Sequence, residues 1–211
     1  MDIQDIYDYC SSVSKQESEI LYNINRETHL NTLRPQMLAG HLQGKFLEMI
    51  SYMIKPRRIL EIGTFTAYST ICLSAGLQED GEIHTIEQNI ELEGIILSNL
   101  HKAGLSSKSY LHKGNAIDII SQLKGIFDLI YLDADQGKAP AYYRLLKPLL
   151  PSGGFLLVDN ALWHGKVPFP DKHDDVESKG MAAFNRLVFN DNDVENLLFP
   201  FRDGIMLIRK K

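Results

Sequence analysis

From residue 57 onward, short β-branched or aliphatic runs alternate with longer amphipathic stretches. That alternation restricts the chain to a mostly parallel sheet covered by helices. The runs are RRILEI (57–62), GEIHTIE (81–87), KSYLHKG (108–114), FDLIYLD (127–133) and GGFLLVD (153–159), with helices expected over about 67–77, 89–104, 116–123 and 138–149. The pattern changes after a helix near 176–191. There DVENLLFP and DGIMLIRK are separated only by Phe201 and Arg202, a gap that fits a hairpin and is too short for a crossover. Residues 1–56 read as helical throughout, because ESEILYNINRETH and PQMLAGHLQGKFLEMISYMI place apolar residues at i, i+3, i+4 and i+7. They are expected to form a helical cap or an oligomer contact, with 57–211 as the α/β core of a single domain.

A chain of 211 residues fills one domain well and is short for two. No apolar run approaches the ~20 residues of a membrane-spanning helix, and the start, MDIQDIYDYCSSVSKQE, lacks the basic end and apolar middle of a secretory signal. A cytoplasmic protein is expected. Cys10 and Cys72 are the only cysteines and have no CxxC or His/Cys ligand spacing, which reads as two reduced thiols. A net charge of −5 argues against broad binding to a phosphate backbone, and the terminal cluster Arg209, Lys210 and Lys211 does not reverse that.

RRILEIGTFTAYST is an apolar strand followed by Glu61, Gly63 and a turn into a helix near Thr66 or Ala67. A strand, a glycine and a helix N-terminus offer free backbone N–H groups to an anion. A pyrophosphate needs the glycines of GxGxxG, and only Gly63 is present. The carboxylate of an amino acid needs less room. S-adenosylmethionine carries one, together with an ammonium that Glu61 or another acid can bind. The second strand ends in Glu87, 24 positions beyond Gly63 (87 − 63), close to the ~20-residue offset at which an acid takes ribose hydroxyls. Spacing alone leaves Glu87 open between that role and a solvated acid.

The fourth strand ends at Asp133 and the fifth at Asp159-Asn160, and in a parallel sheet both ends meet one edge. Two carboxylates and an amide there make an all-oxygen cluster suited to a hard divalent cation, Mg²⁺ first and Ca²⁺ or Mn²⁺ as alternatives. The other reading is that each acid caps the turn that follows it. The irregular stretch WHGKVPFPDKHDDVESKG (163–180) directly follows the fifth strand, where loops border a ligand site.

LEIGTFTAYST, HTIEQN, LDAD, GGFLLVDNALWHGKV, FNRLV and the closing DGIMLIRK together resemble the cation-dependent class I O-methyltransferases, the family of catechol and caffeoyl-CoA O-methyltransferases and their small bacterial relatives. The likeness runs from about residue 35 to the end, and LDAD followed by VDNALWHG is its most specific part. It implies a Rossmann-like fold with a mostly parallel seven-stranded sheet, a C-terminal antiparallel hairpin and helices on both faces. It further implies that Glu61, Gly63 and Ser69 hold the methionine part of S-adenosylmethionine and Glu87 its ribose. Met37, Asn115 and Ala116 are then expected to line the rest of that pocket, Ala116 near the adenine. Asp133, Asp159 and Asn160 match the family's metal ligands, and Asp133 also lies where it can touch the cofactor's ammonium.

Two positions depart from the family pattern. Ala67 stands where a glycine is common, which a helical residue would tolerate. Gln136 stands where members with a general base often carry Lys, directly after the second acid of Asp133-Ala134-Asp135. Lys138 can replace that base only if the turn points it inward; otherwise it is a solvated lysine. Asp135 faces substrate in some relatives and is equally suited to cap the next helix. Trp163, His164 and Lys166 are placed to shape a substrate pocket, whereas Tyr142 and Tyr143 are expected to pack a helix. The expected acceptor is a small phenol with two adjacent hydroxyls. The alternatives are a hydroxylated tRNA uridine, which the acidic charge opposes, and S-adenosylmethionine binding without catalysis. A homodimer is expected from the relatives.

Overall fold

The computed structural model describes residues 3–169 and 172–211. Pro170 and Asp171, inside the loop 163–180, lie outside the described residues. All seven expected strands form: β1 (Arg58–Ile62), β2 (Glu82–Glu87), β3 (Ser109–Lys113), β4 (Leu129–Leu132), β5 (Phe155–Val158), β6 (Val194–Phe199) and β7 (Ile205–Lys210). They make one sheet in the order β3-β2-β1-β4-β5-β7-β6. The first five are parallel, while β7 runs antiparallel to both β5 and β6. Because β1 pairs with both β2 and β4, the strand order reverses between β1 and β4. Ligands of open α/β sheets bind outside the carboxyl ends of strands at such a point.

The helices are α1 (Ile3–Val13), α2 (Glu19–Asn31), α3 (Gly40–Ile54), α4 (Tyr68–Leu73), α5 (Glu93–Lys102), α6 (Ala116–Ile120), α7 (Ala139–Leu146) and α8 (Val176–Phe189). Alternation along the strands decides which helices cover which face. Leu60, Ile62, Ile130, Leu132, Leu156 and Val158 point to one side, where α7 and α8 add Tyr143, Leu146, Met181 and Phe184. Ile59, Leu129, Tyr131 and Leu157 point to the other, against Leu47 and Ile50 of α3 and Leu73 of α4. Each such side chain contributes about 1.5–3 kcal/mol on leaving water.

Residues 1–56 are not helical throughout, as periodicity suggested. The chain breaks between α1 and α2, where the Ser18 side chain caps α2 by accepting from the Leu21 N–H. It breaks again before α3, where Pro35 opens a single 3₁₀ turn, Pro35–Met37. Nor is α3 a separate cap. Its buried face shares one apolar cluster with β1, β4 and β5, so it is a layer of the core.

Candidate active site

The loop after β1 is shaped by close approach to β4. Gly63 has φ +99°, and a Cβ there would lie 1.9 Å from the Asp133 carbonyl oxygen. Only glycine allows both the conformation and the contact. Phe65 and Ala67 also have positive φ, 51° and 66°. Ala67 is therefore not helical, as its substitution for glycine seemed to require. It is the left-handed residue directly before α4, an arrangement that costs an L-residue about 1–2 kcal/mol. Its methyl group is fully buried against Ile96 and Leu100 of α5, which offsets part of that cost. The Thr28 hydroxyl of α2 donates to Thr66 Oγ1 at 2.9 Å, and Asn99 Nδ2 of α5 donates to the Thr66 carbonyl at 3.0 Å, so two helices pin the loop.

Glu61, the fourth residue of β1, points to the α3–α4 face and is fully buried. Three hydroxyls donate to it: Ser69 at 2.6 Å, Thr85 at 2.7 Å and Thr70. Burial pushes its carboxyl up to about 7, against the lowering effect of those three bonds. Ser69, expected to hold cofactor, is engaged with Glu61. Glu87, at the end of β2, accepts from the Phe65 N–H at 2.8 Å and from the Asn89 N–H at 2.8 Å, so one carboxylate ties together the loops after β1 and β2. Asn115 caps α6 through the Ile117 N–H at 2.9 Å, and Ala116 is buried behind it. Met37, over half exposed, lines a small cleft with Ala39, Gly63, Ser69 and Asp133.

At the ends of β4 and β5 the acids meet. Asp159 is buried at 6% exposure and heavily engaged: its Oδ2 accepts from the Tyr131 hydroxyl at 2.9 Å and from Gln43 Nε2, and its Oδ1 accepts from the Asn160 N–H at 2.8 Å. Asn160, in the left-handed region at φ 56°, accepts at Oδ1 from Gln136 Nε2 at 3.2 Å and donates from Nδ2 to Asp203 at 3.4 Å. Asp133 has no hydrogen bond to its carboxylate among the described residues. Desolvation, then Asp159 and then Glu61, hold its carboxyl well above the usual range, and the Arg202 charge opposes them. No group of three or more His, Cys, Asp and Glu side chains arranged for a metal exists among the described residues. The set in question is instead two carboxylates and a carboxamide. Such an all-oxygen, anionic set, with one carboxylate lacking a partner, fits a hard divalent cation.

Lys138 does not replace the missing base. Its ammonium is half exposed and pairs with Asp135 at 2.8 Å, which raises its pKa and keeps it charged at neutral pH. Asp135 in turn caps the short turn Gln136–Lys138 through the Gly137 N–H. Farther along, Asp175 gathers the long loop. It caps α8 and accepts from Trp163 Nε1 at 3.0 Å and Lys166 Nζ at 3.2 Å. Its carboxyl is held well below the usual range, first by Ser178. His164 is exposed, its N–H bound to Asp203. Tyr142 and Tyr143 are buried on α7, as expected. Sequence reasoning missed Gln43, Tyr131, Thr70 and Thr85, which hold the acids in place, and Arg202 and Asp203, which hold Gln43 and Asn160. Only Gln43 carried a signal, as a polar residue four and seven positions before Leu47 and Ile50 on the apolar face of α3.

The profile of the O-methyltransferase family matches residues 11–211. The chain belongs to that family. A caffeoyl-CoA O-methyltransferase of Eucalyptus globulus is 32% identical to this O-methyltransferase over 178 residues, covering 80% of this chain and 72% of the relative. The O-methyltransferase TomG from Streptomyces achromogenes, solved in complex with SAM, superposes at a TM-score of 0.89 with 30% identity and covers 98% of this chain and 96% of that one. An O-methyltransferase from Bacillus cereus, solved with SAH, reaches 0.91 with 28% identity, covering 98% and 97%. The protein is thus a SAM-dependent O-methyltransferase, and the expected sheet with its terminal hairpin is the fold of its relatives. No helix among the described residues is long and apolar enough to cross a membrane.

Proposed function

We propose that this O-methyltransferase transfers a methyl group to a hydroxyl of a small catechol-like acceptor, and that Asp133, Asp159 and Asn160 hold a divalent cation, Mg²⁺ by first choice, beside the cofactor. The observation that carries the reading is that Asp133, Asp159 and Asn160 stand together at the carboxyl ends of the paired strands β4 and β5, with the Asp133 carboxylate in no hydrogen bond or ion pair among the described residues. Relatives named caffeoyl-CoA O-methyltransferases support a phenolic acceptor, since a caffeoyl group carries two adjacent hydroxyls.

A divalent cation held by Asp133, Asp159 and Asn160 would supply the positive charge that lowers the pKa of an acceptor hydroxyl. The chain's own residues preorganise the set. Tyr131 and Gln43 fix one oxygen of Asp159, and Gln136 fixes the amide of Asn160, so the donor atoms are positioned before any ligand arrives. Gln136 acts here as a positioning residue, and a dedicated base is dispensable. On the cofactor side, Gly63, Ser69, Glu61 and Glu87 are assigned to SAM, with Met37, Asn115 and Ala116 completing the pocket. The test is methyl transfer from SAM to a panel of catechols and to bulk tRNA, each with Mg²⁺ and with chelator. Methylation of a catechol that chelator abolishes is expected. Turnover unaffected by chelator, or confined to tRNA, would contradict the reading.

A further inference from the structure

Arg202 lies in the turn between β6 and β7, and nothing in the sequence marked it. Its backbone is left-handed at φ 51°, and its N–H donates to the Tyr7 hydroxyl of α1 at 2.6 Å. Aromatic rings pack around the turn: Phe199 and Phe201 stack at 5.9 Å, and Phe46 of α3 packs 5.6 Å from each. One nitrogen of the guanidinium, Nη1, donates to the Ala39 carbonyl and to the Gln43 Oε1. Gln43 in turn donates to Asp159, and Ala39 lines the cleft shared with Asp133. The cation is thereby held at the mouth of the site, one side chain removed from Asp159.

Both of its partners are neutral oxygens. Arg202 is exposed and makes no ion pair among the described residues, where its Nε and Nη2 form no hydrogen bond to protein and its charge acts on Asp133. An arginine has five donors in a planar fork, and the exposed Nε–Nη2 edge matches the two oxygens of a carboxylate. We infer that Arg202 selects acceptors that carry a carboxylate, so that the substrate class is a dihydroxyaryl carboxylate and not a neutral catechol. The inference rests on the proposed catechol-like acceptor and deepens it.

The test compares 3,4-dihydroxybenzoate with catechol, using the full chain with Mg²⁺, in the wild type, Arg202→Gln and Arg202→Lys. The wild type should favour the acid in kcat/KM. Arg202→Gln should reduce the rate on the acid roughly 10- to 100-fold more than the rate on catechol, chiefly through KM, as expected for loss of a charge-assisted contact. Arg202→Lys should recover part of the difference. Because losing Arg202 also loosens Gln43, the ratio between the two acceptors is the readout. Equal losses on both acceptors, or no preference in the wild type, would overturn the inference. Titration calorimetry of both compounds in the presence of SAH makes the same comparison without turnover. If neither is methylated, the proposed activity fails while that binding ratio still decides the role of Arg202; if neither binds, both fall.

Discussion

The two edges of the sheet are built on different terms. Where β1, β4 and β5 begin, a cleft of about 780 Å³ opens between Ile50 and Met53 of α3 and residues such as Asp128 and Phe155. Asp128, Arg57 and Arg58 at this edge all have partners. Asp128 accepts from the N–H groups of Arg57 and Arg58 at 2.8 and 2.9 Å, Arg57 pairs with Asp80 at 2.6 Å and Arg58 with Glu82 at 2.7 Å. At the carboxyl edge the cleft is far smaller, yet Glu61, Asp133 and Asp159 converge with no cation in contact among the described residues, and Gly63, Phe65, Ala67 and Asn160 all have positive φ. Volume reports how helices pack. Uncompensated charge and constrained backbone report what a surface is prepared to bind.

The comparison can be broken most sharply at Gly63. Gly63→Ala should cost about 3–5 kcal/mol, because it combines a left-handed penalty with overpacking against β4, and it should abolish SAM binding. A urea unfolding curve close to wild type would show that the close approach at this edge is not required.

Glu61 sharpens the comparison through pH. Its folded pKa, about 7 against 4.5 in the unfolded chain, means that the folded chain keeps a proton that the unfolded chain releases. Its contribution to stability is therefore complete below about pH 4.5, falls as pH rises and is lost above about 7. A shift of about 2.5 (7 − 4.5) corresponds to roughly 3 kcal/mol. Glu61→Gln cannot ionise, so its stability relative to wild type should rise by about 2.5 kcal/mol between pH 5 and pH 8 in unliganded unfolding experiments. Burial lowers the pKa of His84 and His112, but both variants share that effect and it cancels. Parallel stability curves would remove the buried charge from the description of this edge.

The smallest effect belongs to the opposite edge. Asp128→Ala should lose about 1–2 kcal/mol of stability, the value of two backbone hydrogen bonds that a carboxylate accepts, and leave kcat/KM at wild-type level. A loss of methyl transfer without a loss of stability would tie the larger cleft to the chemistry.

The sheet was legible because strand runs and crossover lengths are local facts: each of the seven runs became a strand within a residue or two of its expected ends. The acids at strand ends were legible for the same reason, since parallel topology carries Asp133 and Asp159 to one edge. What stayed hidden depends on contacts between distant segments. Ala67 is left-handed because the loop from Gly63 must clear β4, and nothing in AYST records that. Lys138 turns outward because Asp135 lies three residues away and is the nearer partner. Gln43 and Arg202 come from residues 159 positions apart and meet only in the folded chain.

The central proposal is that Asp133, Asp159 and Asn160 hold a divalent cation. Its most direct test is Mn²⁺ titration followed by electron paramagnetic resonance, comparing wild type with Asp159→Asn, with SAH affinity measured alongside. One bound Mn²⁺ per wild-type chain, lost in the variant while SAH affinity stays within a few-fold, is the predicted result. Equal Mn²⁺ binding by both proteins, or none by the wild type, would contradict it.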